Sequence, residues 1–520
     1  MTSQPQAAVP ELARDNRARE VVIFGLLLGG AAIIGPLVGT LAVSGHLQYA
    51  LFMTALLIPV VMLLGRASTV IMLVIAATAF MRFPDPGADA ITSRIPIFRS
   101  FTDTFGVSGA VVLPIEVLLA FALLLWIGDV VARRRLAWRA THLGVAVWIF
   151  LGAALYAELL GLARGGVFHI SLWELRPFLY LAVSYLLAAQ LLTSRSALQA
   201  VLWGIVIGTG WMAILGAERT INTLNVFPRP DALLEHDEAF FFGLFLLLTV
   251  ALWVYGQRGW LRRVATALLP LVIVADFGNN RRAAWVIIPA MLVALVVVAY
   301  TRMPDRRRAI VVIASSVGVV LAAYVIAFHN SSGIIASPAH GIWSQIRPDP
   351  RDYASNLYRQ IENINLGLDI KAAPQGEGFG VPLQHPIPVF DASRIDPLIN
   401  FIPHNTVLYI WLRMGMLGAL AFWFLIGAAI VAACRLARLE DRWYGLYGTL
   451  VICAVIGWLA DGWLDKGLVS FRIDILVGCL LGGLEAARRV GVAVGAQPRQ
   501  SVRDMTGLEP SPPEQPRAVA

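Results

Sequence analysis

Apolar runs of about twenty residues recur along this chain, and a run of that length is what an α-helix needs to cross the hydrocarbon core of a bilayer. They fall at about 21–43, 47–65, 67–81, 108–131, 140–160, 177–193, 197–216, 239–256, 264–278, 283–300, 309–328, 404–433, 444–460 and 468–486. A backbone inside lipid must satisfy its own polar groups, so repeated segments of this kind fold as helices. The expected fold is an all-α polytopic membrane protein with about 14 transmembrane helices. A chain of 520 residues that is 58% hydrophobic and 14% charged is too apolar for an ordinary soluble protein.

Arginines set the expected topology. Arg14, Arg17 and Arg19 precede the first run, and the clusters Arg133–Arg135, Arg258–Arg263, Arg302–Arg308, Arg435–Arg442 and Arg488–Arg489 all fall on the same side of the alternation. The positive-inside rule makes that side cytoplasmic, with both termini there. The run Val21–Val43 is too long for a signal-peptide core and is expected to stay as the first span. The net charge of +8 therefore reads as a topology signal and not as a nucleic-acid footprint. Cys434, Cys453 and Cys479 all lie in apolar runs, which leaves no disulfide framework.

The chain then divides into a cytoplasmic segment 1–20, helices over 21–328, an external loop subdomain 329–402, helices over 403–490 and a disordered, proline-rich cytoplasmic tail 491–520. A polar stretch as long as 329–402 favours a functional lid over a structureless loop. Tyr353, Leu357, Ile361, Ile364 and Leu368 repeat at helical spacing and predict an amphipathic helix over 351–369. Gly376-Glu-Gly-Phe-Gly380 predicts a tight turn, and the proline-rich run 382–388 resists regular structure.

The loop ends at Pro403-His404-Asn405, where an apolar helix begins. Pro403 suits a helix start, which places His404 and Asn405 at the top of a spanning helix. An uncharged imidazole there is a candidate base, and helix capping is its plain alternative. Arg281 and Arg282 fall outside against the positive-inside rule and call for an anionic partner, either Asp276 or a ligand phosphate. Arg359 is a further candidate cation, with an ion pair to Glu362 as its alternative. Arg176 precedes Pro177, which is expected to open a helix.

Arg413 follows His404 by about 13 Å along an ideal helix, so the two are not expected to act on one atom. Asp461 or Asp465 is its expected partner. Gly415 and Gly418 are expected to let helices approach closely. Glu377 reads as a turn residue, or as a group orienting His404 or an acceptor. No His, Cys, Asp or Glu cluster has metal-ligand spacing that survives the topology, so no metal and no cofactor is expected.

Taken in order, these pieces resemble the O-antigen ligase and polymerase superfamily of bacterial envelope enzymes. Pro403-His404-Asn405 with Leu408 and Gly415-Met-Leu-Gly418 is similar to its His-Asn…Gly-x-x-Gly signature. Asn280-Arg281 opening an apolar helix resembles its Ser-Arg-Gly motif. Arg359 with Gly376-Glu-Gly-Phe-Gly380 resembles the Arg…Gly-x-Gly-x-Gly part of its external loop, and Leu175-Arg176-Pro177 is a weaker likeness. Arg282, where a small residue is usual, and Arg413, where an acidic or neutral one is more common, depart from the pattern.

The resemblance implies the architecture of the lipid-linked-sugar (GT-C-like) glycosyltransferases, in a bacterial cytoplasmic membrane with the active site facing outward. It implies transfer of a glycan from undecaprenyl diphosphate to a sugar hydroxyl on a glycan or glycolipid acceptor, without a metal. In that chemistry His404 is the expected base, Arg281 and Arg359 the diphosphate clamps, and Arg176 and Arg282 further donor-binding candidates. A repeat-unit polymerase of the same superfamily is the alternative enzyme. A transporter or flippase for a lipid-linked sugar is the alternative from another class.

Overall fold

The computed structural model describes residues 67–493 apart from 83–91, 93–94, 103–110, 134–140, 225, 227–232, 332, 334–335, 345–346, 349 and 391–397. The expected spans at 21–43 and 47–65, the N-terminal segment 1–20 and the tail from 494 onward lie outside the described residues. All regular structure among the described residues is helical.

In chain order the helices are α1 (Ala67–Ala79), α2 (Pro114–Arg133), α3 (His142–Ala163), α4 (Phe168–Leu191), α5 (Arg195–Asn222), α6 (Glu238–Val254) and α7 (Trp260–Asn279). There follow α8 (Ala284–Arg302), α9 (Arg307–Phe328), α10 (Ser337–Trp343), α11 (Pro350–Ala372), α12 (Thr406–Ala437), α13 (Arg442–Leu464) and α14 (Phe471–Ala493). Seven of them, α2, α3, α5, α8, α9, α12 and α13, are long and apolar enough to cross a membrane, and α1 and α6 are shorter apolar helices. The described residues form an all-helical, polytopic membrane protein.

Helices α4 and α14 pack against each other along their length, α5 lies on α7 and α1, and α12 lies between α13 and α3. Small residues make the central contact possible. A Cβ at Gly478 or Gly482 of α14 would overlap the backbone carbonyl of Leu181 or Tyr185 of α4, the close approach that small residues permit in membrane bundles. Helix α9 has no buried residue and stands at the edge, on α8 and α10.

Three expectations about local structure are corrected. Helix α12 begins at Thr406, with the Asn405 side chain capping the Leu408 N–H at 3.1 Å, so Asn405 and not Pro403 sets its start. Asn is a strong cap because its side-chain oxygen satisfies an orphan N–H. Pro177 lies inside α4, which starts nine residues earlier at Phe168, and Arg176 is therefore a mid-helix residue.

The third correction concerns Gly415, where α12 is broken (φ +66°, ψ −167°). What approaches there is the loop and not another helix. The Met416 N–H donates to the Pro374 carbonyl (3.0 Å), and the Glu377 and Gly378 N–H groups donate to the Leu412 and Arg413 carbonyls (2.8 and 3.0 Å). The backbone groups freed by the break are thus satisfied by residues 374–378, as a broken helix in lipid requires. Gly418 lies against Met414 of its own helix.

Gly376, Gly378 and Gly380 all take positive φ, and a Cβ at Gly376 would overlap the Arg413 carbonyl. On the other side of this clamp the Phe379 N–H donates to the Ala157 carbonyl of α3 (3.0 Å). The turn expected over 376–380 is therefore a wedge between α12 and α3. Residues 382–388 contain no regular structure.

Helix α11 covers the predicted amphipathic segment, but with its polar side inward. Glu362, Asn365 and Asp369 are buried, whereas Tyr353, Leu357, Ile364 and Leu368 are exposed. Glu362 is drawn in by His404, Asn365 exchanges two hydrogen bonds with the Ile387 backbone, and Leu366 packs between them on Leu383 and Leu412.

Candidate functional site

His404 sits just before the N-cap of α12, under α11. The Glu362 carboxylate of α11 accepts from the His404 backbone N–H at 3.1 Å and lies 3.2 Å from ring Nδ1. Glu362 is buried, and the His404 side chain is 24% exposed. With Nδ1–H donated to a carboxylate, the lone pair falls on Nε2, which makes no hydrogen bond among the described residues. Tyr358, one turn before Glu362, meets the imidazole edge-on with ring centres 5.8 Å apart. A neutral imidazole oriented by a carboxylate, with one open nitrogen, can act as a general base.

Asp465, at the end of α13, is the second centre. Its Oδ2 lies 2.9 Å from His236 Nδ1, and Arg281 Nη1 lies 2.8 Å from His236 Nε2. A guanidinium can only donate, so Nε2 accepts and Nδ1 carries the ring proton to Asp465. The same arginine donates to the Leu234 carbonyl at 3.0 Å. Burial alone would raise the Asp465 carboxyl, but the bond from His236 and the nearby charge of Arg359 outweigh it and hold the carboxyl well below the usual carboxylate range. Arg359 donates to the Leu464 carbonyl at 2.9 Å, one residue before Asp465.

Arg281, Arg359 and His404, expected from sequence as one site, thus converge from α7–α8, α11 and the start of α12 around the end of α13. Arg281 pairs with His236 and not with Asp276, and Glu362 takes His404 and not Arg359. Both ion-pair alternatives are overturned, because His236 and His404 reach these partners first. Arg282 lies alongside, 3.3 Å from Asp352 and donating to Ser355 Oγ (3.0 Å) and Asn356 Oδ1 (3.2 Å), all on the first turns of α11. It ties the lid helix to the start of α8.

Arg176 is not brought to this cluster. It is buried against α2, donating to Glu116 Oε1 at 2.8 Å and to the Val111 carbonyl at 2.6 Å, with its guanidinium over the Trp173 ring. Tyr180 donates to the same Glu116 oxygen at 2.9 Å. Arg176 Nε and Nη2 are engaged within the bundle, while Nη1 is buried with no hydrogen-bond partner among the described residues.

Arg413 belongs to a third group. It is fully buried, 2.9 Å from Glu174 of α4 and 3.5 Å from Glu377, and it donates to the Gly378 and Phe401 carbonyls. Tyr409 donates to the same Glu174 oxygen, Oε1 (3.0 Å), and the Gly380 N–H donates to Oε2. The expected partners Asp461 and Asp465 are corrected to Glu174 and Glu377. The glycine wedge brings Glu377 to Arg413 through the Leu412 and Arg413 carbonyls, whereas Asp465 is engaged with His236. Glu377 accordingly serves Arg413 and not His404. Burial raises its carboxyl, offset in part by Arg413.

Glu362, His236 and Asp465 were missing from the sequence-level site. Glu362 was visible only as a partner for Arg359 in the loop helix, and His236 and Asp465 only as polar residues at the mouths of expected spans, 229 residues apart in the chain. Among the described residues no group of three His, Cys, Asp or Glu side chains is placed to hold a metal ion. No protein-family model matches the chain, and no curated protein matches it.

Proposed function

We propose that the chain is a glycosyltransferase of the O-antigen ligase type, moving a glycan from undecaprenyl diphosphate to a sugar hydroxyl at the outer face of a bacterial cytoplasmic membrane. The observation that carries this reading is the meeting of one carboxylate-oriented imidazole with two arginines at the same end of the bundle, under a lid helix. The acceptor hydroxyl gives its proton to His404 Nε2 as its oxygen attacks the anomeric carbon. The bond from that carbon to the diphosphate oxygen breaks, and the leaving charge is taken by Arg281 and Arg359. Arginines then do what a divalent cation does in other phosphate-leaving reactions.

Arg281 and Arg359 now hold a histidine and a carbonyl, groups a diphosphate can replace, since charge-assisted bonds to phosphate are about twice as strong as neutral ones. Arg282 holds the lid. The assignment of Arg176 as a third clamp is not part of this proposal, because Arg176 is buried against α2 in its pair with Glu116 and is not brought to the His404 cluster.

The test is transfer of a labelled glycan from undecaprenyl diphosphate by the purified full chain, with a chelator present, for wild type, His404→Ala and Arg281→Ala. Loss of transfer by about 10²-fold or more in both variants, with unfolding temperatures unchanged, is the expected result. Wild-type transfer in His404→Ala removes the base. Absence of transfer by wild type, with lipid flipping in vesicles, replaces the enzyme with a transporter.

A further inference from the structure

At the opposite, arginine-rich end of the bundle a groove of about 430 Å³ opens sideways between the start of α3, the second half of α12 and the end of α14. That volume is within the range of small-molecule sites, roughly 300–1,000 Å³. Its wall on α12 is Trp423, Gly427, Val431 and Arg435, spaced four residues apart and so on one stripe of the helix. Trp423 and Val431 are exposed, and a Cβ at Gly427 would meet nothing within 4 Å. The floor of the stripe is open space left by an absent side chain.

From Trp423 to Arg435 the stripe rises about 18 Å, close to one leaflet of a hydrocarbon core about 30 Å thick. An acyl chain laid along it would end with its headgroup at Arg435. Arg435 makes no ion pair and no side-chain hydrogen bond among the described residues. Among the described residues the other charges at the mouth are Arg488 and Glu485 of α14, which pair at 3.5 Å, so that Arg435 is the cation there without an ion pair, with Thr141 and His142 as neighbouring polar groups.

Arginines at helix ends anchor any membrane protein by snorkelling. What separates this place from simple anchoring is the apolar channel leading to the charge, one leaflet long. We propose that the groove binds one acyl chain of an anionic phospholipid, with its phosphate on Arg435. Basic pockets between spanning helices are a recognised setting for anionic headgroups. The site is independent of the transferase reading and lies at the other end of the bundle.

The test is native mass spectrometry of the delipidated full chain in detergent, titrated with dioleoyl phosphatidylglycerol or dioleoyl phosphatidylcholine. The expected result is one retained phosphatidylglycerol per chain, with at least fivefold weaker retention of phosphatidylcholine. Arg435→Gln should erase the preference, and Gly427→Phe should lower retention of both lipids by filling the channel, with unfolding temperatures recorded for each. Arg435 is exposed and makes no ion pair among the described residues, so its variant decides the headgroup even where Gly427→Phe fails to fold. Equal retention of the two lipids by wild type, or an unchanged preference in Arg435→Gln, overturns the proposal. So does stabilisation by inorganic phosphate equal to that by phosphatidylglycerol, which would make the site one for a free anion.

Discussion

One carboxylate holds His404 at two points: Glu362 accepts from its backbone N–H at 3.1 Å and stands 3.2 Å from its ring Nδ1. The first contact fixes where the residue sits and the second which tautomer it adopts, so Glu362 is a positioning residue for the proposed base. Glu362→Gln keeps an acceptor but removes the charge that stabilises an imidazolium. We expect kcat for glycan transfer to fall by roughly tenfold, donor KM to stay, and the acid limb of the pH–rate profile to move to lower pH. An unmoved profile with a lowered unfolding temperature would leave Glu362 a purely structural partner.

Arg281 and Arg176 separate the proposed clamp from the scaffold. Arg281→Gln removes a donor from the leaving-group side, and transfer should fall by about 10²-fold or more with little change in unfolding temperature. Arg176→Gln leaves Glu116 without its charge partner inside the bundle, and the cost should be about 3 kcal/mol of stability with kcat retained in the folded fraction. Paired thermal unfolding and initial-rate measurements distinguish the two patterns. The opposite pattern would return Arg176 to the donor site.

The buried Arg413 fastens the glycine wedge to the bundle through Glu174, Glu377 and the Gly378 carbonyl. Arg413→Met leaves the buried Glu174 without its cation and Glu377 with only Arg164 nearby among the described residues, a change that costs about 3–5 kcal/mol where a buried pair is broken. Limited proteolysis should then open at residues 374–380, next to the break at Gly415, before the rest of the helices are cut. Because these residues share one network, Arg413→Met combined with Glu174→Gln should cost less than the sum of the two single changes. Additive costs in denaturant unfolding would show that the two side chains are energetically separate.

Hydropathy made the helices legible from Ala67 onward, since length in lipid is set by the bilayer and a run such as 444–460 can do little else than become α13. Starts were less legible. Asn405 caps α12 and Pro177 lies inside α4 because capping and tertiary packing set those boundaries, and neither is read from apolar content. For His404, Arg281 and Arg359 the sequence offered motif likeness and order. Their partners were hidden, because Asp465, His236 and Glu362 reach them across distant chain segments. The amphipathic period of α11 was readable, but not its direction: His404 for Glu362 and the Ile387 backbone for Asn365 drew polar residues inward, against the usual rule that the apolar stripe of a helix faces the core.

Asp465 gives the protein a defined response to acid. Burial would raise its carboxyl, yet His236 and Arg359 hold it well below the unfolded value of about 3.9. A carboxyl lowered in the folded state adds stability that is fully present above its unfolded pKa and is lost as pH falls toward the folded one. Burial shifts Glu377 and Asp369 the other way, so their protonation favours the fold and partly masks the loss. The difference between wild type and Asp465→Asn isolates the residue. The variant should be less stable at pH 7, and the gap should begin to narrow as pH is lowered from about 5 to 3, because the wild-type carboxylate then starts to lose its advantage. Unfolding temperatures across that range give the measurement. A gap that stays constant would mean that the His236–Asp465 contact contributes by shape alone and that the carboxylate charge adds nothing to the fold.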